Sequence, residues 1–259
     1  MTLTQAKGHF YKQYLKLFKA AGEWEFILVY PLVHLFSMGF LSAFVGGEDS
    51  ARVALTYMFV GAFSWNFYVL AQKGITYGIL HEIWSDSVKH LATAPAGIID
   101  FIIGNGAYSL LSGLMAWLLM YLCAKIFFAF DIFAGGPVIV LGLIGLWLYG
   151  MAEGLIVNAI MLLKGPEYMS ITWIITGIVM VTSAVYYPLS ILPEPIRTAA
   201  SILPTTHAIE SIRQAILGGN PIAPGINAVV LGVAYLLVAS FVFSKSLTRS
   251  KQNGTILRL

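Results

Sequence analysis

The sequence predicts an all-α integral membrane protein: six transmembrane helices, an amphipathic interface helix before them, and a broken, re-entrant pair of short helices between spans five and six. Composition is the first reason. Of 259 residues 58% are hydrophobic and 10% charged, with a mean hydropathy of +0.81, whereas a soluble domain carries about 25% charged residues. The second is length, since six runs reach the roughly 20 apolar residues that ~30 Å of hydrocarbon requires. The third is a cluster of prolines late in the chain, where an apolar stretch cannot be one continuous helix.

Residues 1–22 form the first unit. Leu3, Ala6, Phe10, Tyr14, Leu17 and Ala21 fall on one helical face, with Lys12, Lys16 and Lys19 opposite, the pattern of a helix lying in the interface plane. No short apolar core with a small-residue cleavage site follows the lysines, so a secretory leader is not expected. Residues 23–259 form the six-span domain, with spans near Trp24–Val45, Arg52–Gln72, Ile98–Phe128, Pro137–Leu163, Met169–Tyr187 and Gly225–Ser244. The third is long enough to project from the bilayer or to bend at Gly104, Asn105 and Gly106. Placing both termini in the cytoplasm puts eleven of the 15 basic residues there and leaves Arg52, Lys125, Arg197 and Arg213 outside, as the positive-inside rule requires.

Two connections carry information. Between spans two and three, residues 81–94 read as a cytoplasmic amphipathic helix. Trp84, Val88 and Leu91 form its apolar stripe, Glu82, Asp86, Lys89 and His90 surround it, and Pro95 and Gly97 end it. Such a stripe suits the groove of a partner. The loop KGPEYM between spans four and five is a secondary contact at best.

Between spans five and six, residues 188–219 are apolar but contain Pro188, Pro193, Pro195 and Pro204, each of which removes a backbone donor and crowds the preceding turn. Two short helices are expected, one from Pro193 or Pro195 to about Leu203. Thr205 or Thr206 would cap the second, which runs through His207, Glu210 and Arg213 to Gly218 and Gly219. Non-spanning backbone at membrane depth is tolerated only where protein buries it or water runs past it. Tyr187, Pro188, Pro193, Pro204, His207, Glu210 and Arg213 are therefore candidates for the mouth of a translocation path.

Ionisable residues inside spans are functional candidates because charge is costly in lipid. Glu153, within GMAEG, lies beside the small-xxx-small pair Gly150 and Gly154, so it is expected to face protein or water. His34, after the helix-bending Pro31, reads as a hydrogen-bonded core histidine. Trp65, Phe67 and Tyr68 are candidates for an aromatic lining. Cys123, alone in an apolar run, implies neither a disulfide framework nor a cysteine metal site. No G-x-x-x-x-G-K-[ST] loop is present, so ATP is not bound in the P-loop manner. Ser112 in LLSGLM lacks the glycine that rhomboid-like proteases place two residues before their serine. No nucleic-acid signature is found, and no enzyme activity is expected.

The spacing E-x8-L-x3-P (Glu82, Leu91, Pro95), together with YYPLSILPEPIR and LPTTHAIESIRQAILGG, resembles the ABC-2 type exporter permeases over nearly the whole chain. The resemblance implies a half-transporter in the cytoplasmic membrane of a prokaryote that pairs with a second copy and with separate ATPase subunits. ATP and Mg would sit on the ATPase, with no cofactor on this chain. Glu82, Trp84, Asp86, Val88 and Leu91 would form the ATPase-coupling helix, and 188–219 outward re-entrant helices. The cargo would be amphiphilic: a glycolipid, polysaccharide, lipid or drug. The R-Y-x-x-S-x-L-G-like N-terminal segment of the O-antigen and teichoic-acid members is not found here. A competing class is an ion-coupled carrier with Glu153 as its protonatable group, though the paired broken spans such carriers show are missing.

Overall fold

The computed structural model describes residues 3–19, 21–45, 51–85, 87 and 97–255; among them the regular structure is helical, with no strand. The helices are α1 (Leu3–Lys19), α2 (Gly22–Val45), α3 (Ala51–Trp84), α4 (Ile98–Phe128), α5 (Ile139–Lys164), α6 (Ile171–Thr182), α7 (Glu194–Ala200), α8 (Pro204–Leu217) and α9 (Ile222–Gln252). Five of them, α2, α3, α4, α5 and α9, are long and apolar enough to cross a membrane. The fifth expected span differs from the other five. Met169–Tyr187 holds only the 12-residue α6, entered through a 3-10 turn at Pro166–Ser170. At 1.5 Å per residue α6 is about 18 Å long. It stops at Thr182, just before Ala184 takes a left-handed φ of 51°, and Pro188 prevents a helix from resuming through the following residues.

α5 lies at the centre, packed on α3 and on α9. Small residues set both contacts. A Cβ on Gly150 would lie 2.8 Å from the Tyr68 carbonyl of α3, and one on Gly145 would lie 2.6 Å from Ala228 Cβ of α9. Backbones this close let dispersion and polar contacts hold helices that share a lipid-like environment. The main apolar core, including Phe59, Phe63, Leu146, Ile209 and Ile212, joins α3, α5 and α8.

Two helices run differently from expectation. Within α2, Glu25–Val29 is wound as a π-helix and the Tyr30 N–H bonds the Glu25 carbonyl. Pro31, which has no N–H to offer the ladder, accounts for that widening. α3 continues past Gln72 to Trp84, because no proline intervenes, Gly74 and Gly78 serve close contacts with Ser109 and Asn105 of α4, and the polar residues beyond Gln72 find partners on α1 and α2.

α1 packs on the first half of α4 rather than standing apart. Ala6, Gln13 and Leu17 form its buried face, and Gln13 Nε2 donates to Asn105 Oδ1 at 3.1 Å. α4 runs unbroken through Gly104, Asn105 and Gly106, so this triplet marks a helix crossing instead of a bend. A Cβ on Gly104 would lie 2.5 Å from both the Ala6 carbonyl and His9 Cβ. The α1 end and the C-terminal end of α9 meet nearby, where Phe101 lies 5.6 Å from the His9 ring and 5.5 Å from the Phe243 ring.

Gly104→Leu should therefore lift α1 off α4. The expected result is a loss of about 1–3 kcal/mol of stability, as for other overpacked contacts, with new protease cleavage inside residues 3–19. Unchanged melting and an unchanged digestion pattern would refute the crossing.

Candidate functional site

Three polar arrangements stand out. At the end that holds both termini, Glu23 of α2 accepts from Lys73 Nζ at 3.2 Å and from Tyr108 Oη at 3.3 Å. Lys73 also sits 3.6 Å from the centre of the Phe26 ring, a cation–π contact that offsets part of its burial. Lys12 of α1 pairs with Glu82, and Lys16 Nζ lies 2.6 Å from His81 Nδ1. Burial, with the charge of Lys12 beside it, lowers the Lys16 pKa to about 8, against the pull of Glu82 and Glu23. α1, α2, α3 and α4 are thus tied by a network of ion pairs and hydrogen bonds.

Midway along α5, Glu153 is buried. Its Oε2 accepts from Tyr68 and its Oε1 from Thr176 Oγ1 at 2.9 Å. Gly150 and Gly154 bring the α3 backbone against this stretch, as the small-xxx-small spacing predicts. Cavities lie on both sides of α6. One of about 400 Å³ lies between α2, α3 and α6, with Trp65, Trp173, Phe26, Tyr30, His34 and Asn66 among its walls. The other, of about 250 Å³, lies between α5, α6 and α9 and is lined by Glu153, Tyr149 and Tyr235.

His34 is hydrogen-bonded through both ring nitrogens. Asn66 Nδ2 donates to its Nδ1 at 2.8 Å and also to the Ala62 carbonyl at 2.8 Å, which fixes the amide; Nε2 therefore carries the proton toward Tyr186 Oη, 2.6 Å away. The satisfied-histidine expectation holds, and the residue also faces the larger cavity.

The third arrangement is the break itself. Arg213 of α8 is buried, and its Nη1 and Nη2 donate to the carbonyls of Tyr187 at 3.2 Å and Val185 at 2.5 Å. Its guanidinium lies 4.4 Å from the Tyr57 ring centre. Burial lowers its pKa to about 10 while Glu210 pulls it back up, so it remains cationic at neutral pH. Ser183 bonds Thr205, and Gly61 of α3 leaves room for the Val185 carbonyl that any Cβ there would overlap.

The candidate residues separate accordingly. Trp65 lines the larger cavity, but Phe67 and Tyr68 do not: both are buried in the core, Phe67 against Gly113 and Tyr68 on Glu153. Tyr187 donates its hydroxyl to the Val181 carbonyl at 2.6 Å. Pro188 and Pro193 precede the 3-10 turn Leu189–Ile191 and α7, and Pro204 begins α8 instead of ending the helix before it. Thr205 and Thr206 do not cap α8, whose N-cap is Leu203. His207 Nε2 meets the Ser201 carbonyl at 2.7 Å, and Glu210 accepts from Gln214 at 2.9 Å. Glu82 and Trp84 belong to the last turn of α3; Asp86, Val88 and Leu91 lie outside the described residues.

Comparison with protein-family models finds no match, and comparison with curated proteins finds none. Among the described residues no group of His, Cys, Asp or Glu could hold a metal ion.

Sequence reasoning missed Glu23, Lys73 and His81 because it ended the second span at Gln72. Lys73, placed in a cytoplasmic loop, is a buried residue of α3. The available signal was the absence of any Gly-Pro or Asn-Gly breaker between Gln72 and Trp84.

Arg213→Met should leave two carbonyls of the break without their donor and cost about 1–3 kcal/mol for each buried group. Arg213→Lys should recover only part, since an ammonium lacks the planar fork that reaches both carbonyls and stacks on Tyr57. Thermal unfolding of the purified protein in micelles tests this order; equal melting of all three would sink the role.

Proposed function

We propose that this chain is the membrane permease subunit of an ATP-driven exporter, moving an amphiphile across the cytoplasmic membrane of a prokaryote. It works as a pair of copies among membrane lipids, energised by a separate ATPase subunit that holds ATP and Mg. The observation that carries the reading is the broken element. Two short helices and an irregular stretch are pinned by Arg213 against α3, at the end away from both termini. Irregular backbone is tolerated at membrane depth where it borders a path, and a cavity adjoins Tyr186's partner His34.

Six crossings belong to the same proposal. α6 and its 3-10 lead-in together measure about 28 Å, and an even number of crossings is what returns both termini to one side. The basic residues near those termini favour the cytoplasm for that side. There Trp84, 64% exposed at the end of α3, begins the segment that an ATPase would grip.

A second reading has its own observation. Glu153 lines a cavity with only hydroxyl partners on its carboxylate, which suits an ion-coupled carrier. That carrier would transport alone in liposomes under a proton gradient and lose transport in Glu153→Gln.

Changing Trp84 and Leu91 together to alanine should abolish co-purification of a P-loop ATPase from the native membrane and uncouple ATP hydrolysis from export, while the permease still folds. Wild-type coupling in the double variant would overturn the assignment. A permease that purifies alone and transports under an ion gradient would transfer it to the carrier.

A further inference from the structure

We propose that the cavity beside Glu153 binds the head of an organic monocation, an ammonium group carried on an apolar tail. This deepens the transport reading by naming a cargo class, and rests on that reading only for the word cargo; the binding itself needs no ATPase.

The charge is the first argument. Glu153 lies midway along a helix that crosses the bundle, is buried, and accepts from two hydroxyls, those of Tyr68 and Thr176. Among the described residues no lysine, arginine or histidine pairs with it. A carboxylate at that depth marks a ligand path more often than a packing contact.

The walls supply the second argument. Tyr149 and Tyr235 set their rings 5.1 Å apart at 88°, and both line the cavity with Glu153. Tyr149 is stacked on Tyr68 by one face, and an aromatic face left open beside a carboxylate attracts a large, weakly hydrated cation. A small hard cation asks for six or more oxygen ligands, and Ala152, Ile156, Ile175 and Ala239 supply hydrocarbon in their place. An anion would meet the carboxylate and no basic group.

Size and exit agree with this assignment. The cavity's 250 Å³ is about the share of eight liquid waters, room for a trimethylammonium head. Its rim includes Val238, 63% exposed. A tail leaving there would lie along the apolar outer surfaces of α6 and α9, where Ile174, Ile178 and Leu237 are exposed.

The test is calorimetry on the purified full chain in maltoside micelles, with benzyltrimethylammonium as the probe and neopentylbenzene, its uncharged isostere, as the control. The wild type should bind the cation saturably at one site per chain. Glu153→Gln should weaken it by at least about tenfold, as expected for loss of a desolvated charge partner, and leave neopentylbenzene unaffected. Tyr235→Leu should weaken the cation several-fold. Absence of saturable binding to the wild type, or equal affinity in Glu153→Gln, overturns the proposal. Should Glu153→Gln not fold, Ala239→Phe fills the cavity while keeping the carboxylate: lost binding supports the site and retained binding refutes it. Because no ATPase is present, failure here leaves the exporter reading standing, and failure of the coupling test leaves this result untouched.

Discussion

A buried carbonyl that leaves its helix must find another donor, and at the 183–188 break that donor is Arg213. Its two terminal nitrogens serve the carbonyls of Val185 and Tyr187, and Tyr57 covers the face of the guanidinium. Without them the break would carry unmet acceptors, each costing more in a low-dielectric interior than in water. The placement of α8 and the approach of Tyr186 to His34 follow from this side chain together with the Ser183–Thr205 bond and the space at Gly61. Gly61 contributes the space and Arg213 the hydrogen bonds, so neither alone accounts for the packing of the break on α3.

A short α6 has consequences on both its flanks. Trp173, Ile174, Ile178 and Val181 face outward and exposed, whereas Thr172, Thr176 and Val179 are buried. On the buried side the helix leaves a cavity on either hand. Thr176 lines one and holds the glutamate that lines the other. A shift of α6 would therefore exchange volume between the two spaces, and the Thr176–Glu153 bond is the contact that such a shift has to break. Sites that must open are drawn from loosely packed elements, and few contacts join α6 to its neighbours.

The parts of the fold that hydropathy and proline chemistry determine were legible in advance. α4 spans Ile98–Phe128 as read from the sequence, α8 ends at Gly218 with a left-handed φ of 81°, and Glu153 faces protein beside its two glycines. Less legible was anything decided by a partner distant in sequence. Lys73 looked like a loop residue because nothing local reveals that Glu23, 50 positions earlier, waits for it. Phe67 lies two positions after Trp65, about 200° round the helix, and so faces the core; Tyr68, three positions on, shares a side with Trp65, their rings 5.2 Å apart, but is drawn inward by Glu153 of α5. Gly104 resembled a hinge because a glycine that bends a helix and one that admits a neighbouring helix look alike until the neighbour is known.

The charges at the termini end give mechanical force applied beyond Trp84 a route into the bundle. Glu82 and Trp84 close α3 immediately before residues 86–96. Glu82 pairs with Lys12 of α1, His81 meets Lys16 of α1, and Lys73, about two turns earlier on α3, holds Glu23 at the start of α2. A partner displacing the end of α3 would thus pull on α2 through the buried Lys73–Glu23 pair and on α1 through the half-exposed Lys12–Glu82 pair and the Lys16–His81 hydrogen bond. α2 carries His34 to the wall of the larger cavity and to Tyr186 at the break. Contact continues from the end of α3 at Trp84 to the broken element through named pairs. A partner could drive the far end only by preferring one arrangement of those pairs over another. The ion pairs and the His34–Tyr186 bond are the places where two such arrangements would have to differ.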